Sequence, residues 1–238
     1  MTLYAKPRRF GAGQLLDPEL RQQIAATVES IQLDGGGGAT LLKSYLLAEL
    51  IIAEPIKRVV EIGVYRGRLL LPLALVFKWG GSGEIVGIDP YSAAAAVQND
   101  DHNAGIDLRT WPNAVEWDAL YKDVCLRISV LGLDGNCCIV RARSADVATR
   151  FPKGSIDLLH IDGNHDRVAV ERDLALYLPR VARPGGYVVL DDASWLSIRP
   201  VFDELRNHHE LVFQLFDIRD LGIDRIGGND FAVFRLRQ

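Results

Sequence analysis

Residues 58–89 read "RVVEIGVYRGRLLLPLALVFKWGGSGEIVGID". The run from Val59 to Ile62 is short and β-branched and is stopped by Gly63, and "EIVGID", ending at Asp89, repeats that pattern. Between them, "RLLLPLALVFKWG" is long, apolar and closed by glycine, as expected of a helix packed against other elements. Strand, helix and strand in this order imply parallel neighbours joined by a crossover, the unit of an α/β fold.

The pattern extends in both directions. Upstream, "LLDPELRQQIAATVESIQL" predicts a helix with Asp17 as N-cap, Pro18 in its first turn and Leu20, Ile24, Val28 and Ile31 on one face. A second helix is expected from about Thr40 to Ala53, before Pro55. Downstream, a helix carries Trp117, Tyr121, Val124, Ile128 and Leu131, and strands are expected at "CCIVRA", "SIDLLHID" and "YVVLDD". "VAVERDLALYLPRV" and "RPVFDELRNHH" supply helices, the first with Val170, Leu174, Tyr177 and Leu178 facing inward, and "ELVFQLFDI" and "NDFAVFRLR" close the chain as an antiparallel edge pair. The expected fold is thus a doubly wound, mostly parallel, Rossmann-like α/β sheet of seven strands with an antiparallel edge hairpin. A helical extension or lid (residues 1–39) precedes the main domain (residues 40–238), into which residues 92–114 are inserted as a long polar lid loop.

Composition narrows the classes. At 238 residues, 48% of them apolar, the chain can bury a full core. A net charge of −4 without runs of Lys or Arg argues against a nucleic-acid partner. The apolar stretch "LLKSYLLAELIIAEPI" is interrupted by Lys43, Glu49 and Glu54, and "MTLYAKPRRF" lacks the apolar core of a signal peptide, so no membrane association and a cytoplasmic location are expected. The three cysteines, Cys137 and Cys138 adjacent, form no C-x-x-C pair and are expected to be buried, reduced packing residues.

Four of the first five strands end in acidic or glycine-rich turns: "VVEIGVYRG", "IVGIDP", "LLHIDGNH" and "YVVLDDASW". In an open parallel sheet, ligands bind at the carboxyl ends of strands, so these residues are expected to share one crevice. "EIGVYRG" keeps Gly63 and Gly67 but has Tyr65 and Arg66 where a dinucleotide fingerprint requires its own spacing, so a pyrophosphate fits badly. A nucleoside without phosphate fits better. Asp89 is expected to accept hydrogen bonds from both ribose hydroxyls and Glu61 to favour a cationic head, which describes S-adenosylmethionine (SAM).

In "VVEIGVYRGRLLL", "VGIDPYS" and "LLHIDGNHDRVAVERDLALYLPRVARPGGYVVLDDASW", from about Thr40 onward, the chain resembles the class I SAM-dependent methyltransferases. Within them it is most similar to the metal-dependent small-molecule O-methyltransferases, in the macrocin O-methyltransferase and cephalosporin-hydroxylase-like branch of antibiotic biosynthesis. The resemblance implies a divalent metal, usually Mg2+, at Asp162, Asp191 and Asp192, and a general base at His165. Plant and animal relatives carry Asp-Asn where this chain has Asp191-Asp192. By the same resemblance Ser144 and Ala145 lie by the adenine, although an N-cap role explains Ser144 nearly as well.

The chemistry agrees with that resemblance. Three carboxylates in one cleft repel one another unless a cation joins them, and an all-oxygen set suits a hard ion such as Mg2+. Methyl transfer to a hydroxyl needs the alcohol positioned and deprotonated, and an imidazole, with an ordinary pKa of about 6.5, suits the second task. Other roles remain open at this level: Asp162 as a helix cap, Asp191 and Asp192 as loop acids, His165 as a surface residue, Tyr65 as a cover for the turn, and Trp195 as a pocket wall or a core aromatic. The expected acceptor is a small-molecule hydroxyl, of a sugar or another secondary metabolite before a catechol. The rival readings are a nicotinamide oxidoreductase and a non-methylating or non-catalytic SAM-binding protein of the same fold. Self-association as a homo-oligomer is left open.

Overall fold

The computed structural model describes residues 15–33, 38–100, 107–215 and 230–237. Helices α1 (Pro18–Glu29) and α2 (Leu41–Ala53) lead into β1 (Arg58–Ile62), α3 (Leu70–Gly80) and β2 (Glu84–Ile88). A short α4 (Ala93–Ala96) precedes α5 (Trp117–Val130), β3 (Cys137–Val140), the short α6 (Ser144–Val147) and β4 (Leu158–Ile161). The chain continues through α7 (Arg167–Tyr177), β5 (Tyr187–Asp191), α8 (Arg199–His208), β6 (Glu210–Leu215) and β7 (Phe231–Arg235).

The strands form one sheet in the order β3-β2-β1-β4-β5-β7-β6. β1 to β5 pair in parallel, and β7 runs antiparallel to both β5 and β6. The expected edge pair is present, but β7 is inserted inside β6, so β7 alone opposes the common direction. The end of the run "ELVFQLFDI" beyond Leu215 lies outside the described residues.

Alternation along each strand divides the core between two faces. Val59 and Val189 pack with α1, α2, α3 and α5 on one side. Val60 and Val188 pack with α7 and α8 on the other. Because α3 lies between the sheet and the layer of α1 and α2, every residue from Leu70 to Phe77 is buried, which explains why its sequence is apolar on all sides. Its amphipathic neighbour α1 is built as expected: Asp17 accepts from the Glu19 N–H at 2.8 Å, and Leu20, Ile24 and Val28 are buried. Cys138 departs from expectation, because β3 is an edge strand and the thiol faces outward, whereas Cys137 is buried.

Arg68 also departs from expectation. It precedes α3 instead of opening it, and its buried guanidinium donates to the carbonyls of Ala39 (2.9 Å), Val28 (2.6 Å) and Ile31. It therefore ties the carboxyl end of α1 to the turn after β1, satisfying carbonyls that the helix end leaves open. Arg68→Met should strand those carbonyls and cost on the order of 3 kcal/mol, read as a lowered midpoint in urea unfolding; an unchanged midpoint would show that α1 is held by apolar packing alone.

Candidate active site

Register places the strand ends level: Ile62 lies beside Ile88 on one side and Ile161 on the other, and Ile161 beside Leu190. The residues that follow, Gly63, Asp89, Asp162 and Asp191, therefore emerge side by side. Gly63 has φ +88°, and a Cβ there would lie 2.1 Å from the Asp162 carbonyl oxygen. The glycine is thus required first by the backbone of β4, before any ligand approaches. Asp89 is buried and accepts three backbone N–H groups, from Val64 (2.9 Å), Tyr65 (3.0 Å) and Tyr91 (2.7 Å), so its carboxylate ties the turn after β1 to the end of β2. Tyr65, Tyr91 and Asp192, just beyond the ends of β1, β2 and β5, adopt φ of +49°, +47° and +47°. Such left-handed non-glycine residues cluster where side chains are aimed for function.

The carboxylates meet a cation from the chain itself. Lys43, from α2, is fully buried, with its ammonium 2.7 Å from Asp191 Oδ1 and 3.6 Å from Asp162 Oδ2. Burial opposes its charge, but Asp191 and Asp162 outweigh burial and raise its pKa. Burial likewise works against Asp191, yet Lys43 holds that carboxyl down at about 2. Asp162 and Asp192 are both pushed well above the ordinary range, by burial first and then by the charge of Asp191. On the neighbouring strand, His160 Nδ1 contacts Glu61 Oε1 at 3.1 Å, with both side chains buried. Burial drives that pair toward neutrality, lifting Glu61 to about 8 and lowering His160 well below the usual imidazole value. Glu61, His160 and Asp162 each present a ligand atom within 4.8 Å of the other two, and Glu61 Oε2 and His160 Nε2 are buried without a hydrogen-bond partner.

His165 lies across the same cluster. Its Nε2 is 3.4 Å from Asp192 Oδ2 and 3.8 Å from Asp162 Oδ1, and its ring packs on Trp195 with centroids 5.1 Å apart. It is buried, not a surface residue, and Asp162 does not cap α7, whose N-cap position is Asp166. The "DGNHD" loop is clamped by the first part of the expected lid. Gln98 Oε1 accepts from the His165 N–H at 3.1 Å, Asn164 Nδ2 donates to the Val97 carbonyl at 2.8 Å, and Asp166 accepts the N–H groups of Asn99 and Asp100. Of the other lid residues, Trp111 packs edge-on against Tyr65 at 5.6 Å, and Asp101 and His102 lie outside the described residues.

A single cavity of about 760 Å³ is lined by Glu61, Gly63, Tyr65, Asp89 and Ser144, and by Asp162, His165, Asp191, Asp192 and Trp195. Two expected residues do not line it. Gly67 instead makes a turn at φ +74° against Leu71 and Val124, and Ala145 is exposed on α6. Ser144 is not an N-cap; its hydroxyl donates to Asp173 Oδ1 at 2.6 Å. Lys43, His160, Gln98 and Asp173 were not identified from sequence. Lys43 left one signal, a charge within an apolar helix, and Asp173 another, a charge on the inward face of α7 beside Val170 and Leu174.

No curated protein matches the chain. Among solved structures, the O-methyltransferase TomG from Streptomyces achromogenes, involved in tomaymycin synthesis and solved with SAM, is 15% identical, with a TM-score of 0.59 over 98% of this chain and 100% of that one. The O-methyltransferase NovP is 17% identical, with a TM-score of 0.62 over 92% and 97%. A Bacillus cereus O-methyltransferase solved with SAH is 13% identical, with a TM-score of 0.57 over 93% of each chain. At these identities the likeness establishes the shared fold. The family described as "Methyltransferase domain" matches residues 60–193, more than half of the sequence, and the chain belongs to that family.

Proposed function

We propose that the protein is a SAM-dependent O-methyltransferase that acts on a hydroxyl of a polar small molecule, a sugar or another secondary metabolite. The observation that carries this reading is the convergence of Asp162, Asp191, Asp192 and His165 on the cavity that also exposes the glycine turn and Asp89. A second support is Glu61: burial strips its charge, and a sulfonium or ammonium group beside it would restore the carboxylate. The neighbours solved with SAM or SAH share this fold.

The donor set fits a divalent cation. Asp162, Asp191 and Asp192 are hard oxygen ligands, and once Lys43 is counted they carry two uncompensated formal charges. Those three residues would hold Mg2+ or a similar ion, which would supply Lewis-acid polarisation of the acceptor oxygen. Within the chain, Asp89 and the turn from Gly63 to Tyr65 hold the nucleoside, and Gly63 lets the ends of β1 and β4 approach closely. His165 Nε2 accepts the hydroxyl proton, and the resulting imidazolium is stabilised by Asp192 and Asp162. Trp195 packs on the ring and Gln98 holds the His165 backbone N–H, so the base does not have to be ordered at each turnover.

The test is an acceptor screen of hydroxylated sugars and phenols with SAM and Mg2+, scored by release of S-adenosylhomocysteine. Asp162→Asn and EDTA treatment should each abolish turnover while leaving SAM affinity within a few-fold; turnover that survives EDTA removes the metal from the reading. His165→Ala should lower kcat by roughly 10²–10⁴-fold, flatten the acid limb of the pH–rate profile and leave metal affinity unchanged. A variant that instead lost metal affinity would make His165 a ligand and not the base.

A further inference from the structure

We infer that Lys43 is a resident counter-cation that opposes the divalent ion and matches the charge of its site to two. The inference rests on the metal-binding part of the proposed function. Lys43 reaches the cluster from the core side: its ammonium is fully buried, touches Asp191 and Asp162, and lies 5.5 Å over the Phe231 ring. It does not line the cavity, so no acceptor touches it, and its role is that of a positioning residue. Asp191 lines the cavity and Lys43 does not, and the ammonium lies 2.7 Å from the Asp191 carboxylate.

Charge arithmetic gives the consequence. With all three carboxylates ionised around a bound ion, Asp162, Asp191 and Asp192 would contribute three negative formal charges and Lys43 one positive, which leaves two. An ion held by Asp191 would share that carboxylate with the ammonium, in a buried setting where charges are weakly screened. Lys43 therefore fixes the Asp191 carboxylate before the ion arrives, and would weaken the ion's hold once it has arrived. The repulsion scales with the charge of the ion, so a trivalent ion is penalised more than a divalent one.

The experiment measures ion binding by the full-length protein, independently of turnover. Mn2+ affinity is read by electron paramagnetic resonance of the free ion and Tb3+ affinity by sensitised luminescence, for the wild type, Lys43→Met and Lys43→Gln. Gln retains a hydrogen bond to Asp191, so it keeps the test usable if the Met variant fails to fold. Loss of the charge should tighten Mn2+ binding at least tenfold and Tb3+ binding by a further tenfold. Equal or weaker binding of both ions would overturn the inference and leave Lys43 a packing residue. Ion binding by the variants but not by the wild type would overturn both the charge match and the metal role, and would make Lys43 a group that excludes cations. Binding by neither, with SAM affinity intact, would overturn both this inference and the metal reading, and the methyltransferase reading would stand.

Discussion

Level parallel strand ends force Glu61, Asp162, Asp191 and Asp192 into one buried pocket, and the contact between Lys43 and Asp191 makes that arrangement tolerable. Isolated buried charges cost several kcal/mol each, so such a cluster persists by pairing, by protonation or by taking up a cation. The first two responses are represented here. Asp191 is paired with Lys43, Asp162 and Asp192 are driven toward protonation by burial and by the charge of Asp191, and the cavity side is open to a ligand.

The scaffold around the cluster is rigid where position matters. Gly63 allows the ends of β1 and β4 to touch, Asp89 ties the turn to β2, and Arg68 anchors the same turn to the end of α1. The "DGNHD" loop is held by residues 97–100, so part of the long polar insertion belongs to the wall of the site. Helix α2 does more than cover the sheet, because it delivers the Lys43 ammonium to Asp191 and Asp162.

Much of this was legible in the sequence. Periodicity and stop signals located all seven strands and the longer helices, though not the short α4 and α6, because strand ends and helix caps are local chemistry. The acidic strand termini pointed to the crevice for the same reason. The remainder depends on contacts across the fold. Lys43 stands 148 positions before Asp191, and in the sequence it registers only as an interruption of an apolar run. His160 reads as a core residue of β4, and its pairing with Glu61 needs the β1–β4 register. Gly63 suggested room for a cofactor, whereas the structure shows that the backbone of β4 needs that room first.

The most direct test of the account is isothermal titration calorimetry on EDTA-treated protein, with SAM titrated first and Mg2+ second. The account predicts saturable binding of SAM to the apo protein and of Mg2+ to the SAM complex, both of which report on the crevice at the strand ends. Absence of SAM binding would contradict the assignment of that crevice. Binding of SAM with no Mg2+ heat at any acceptor concentration would contradict the role given to the carboxylates.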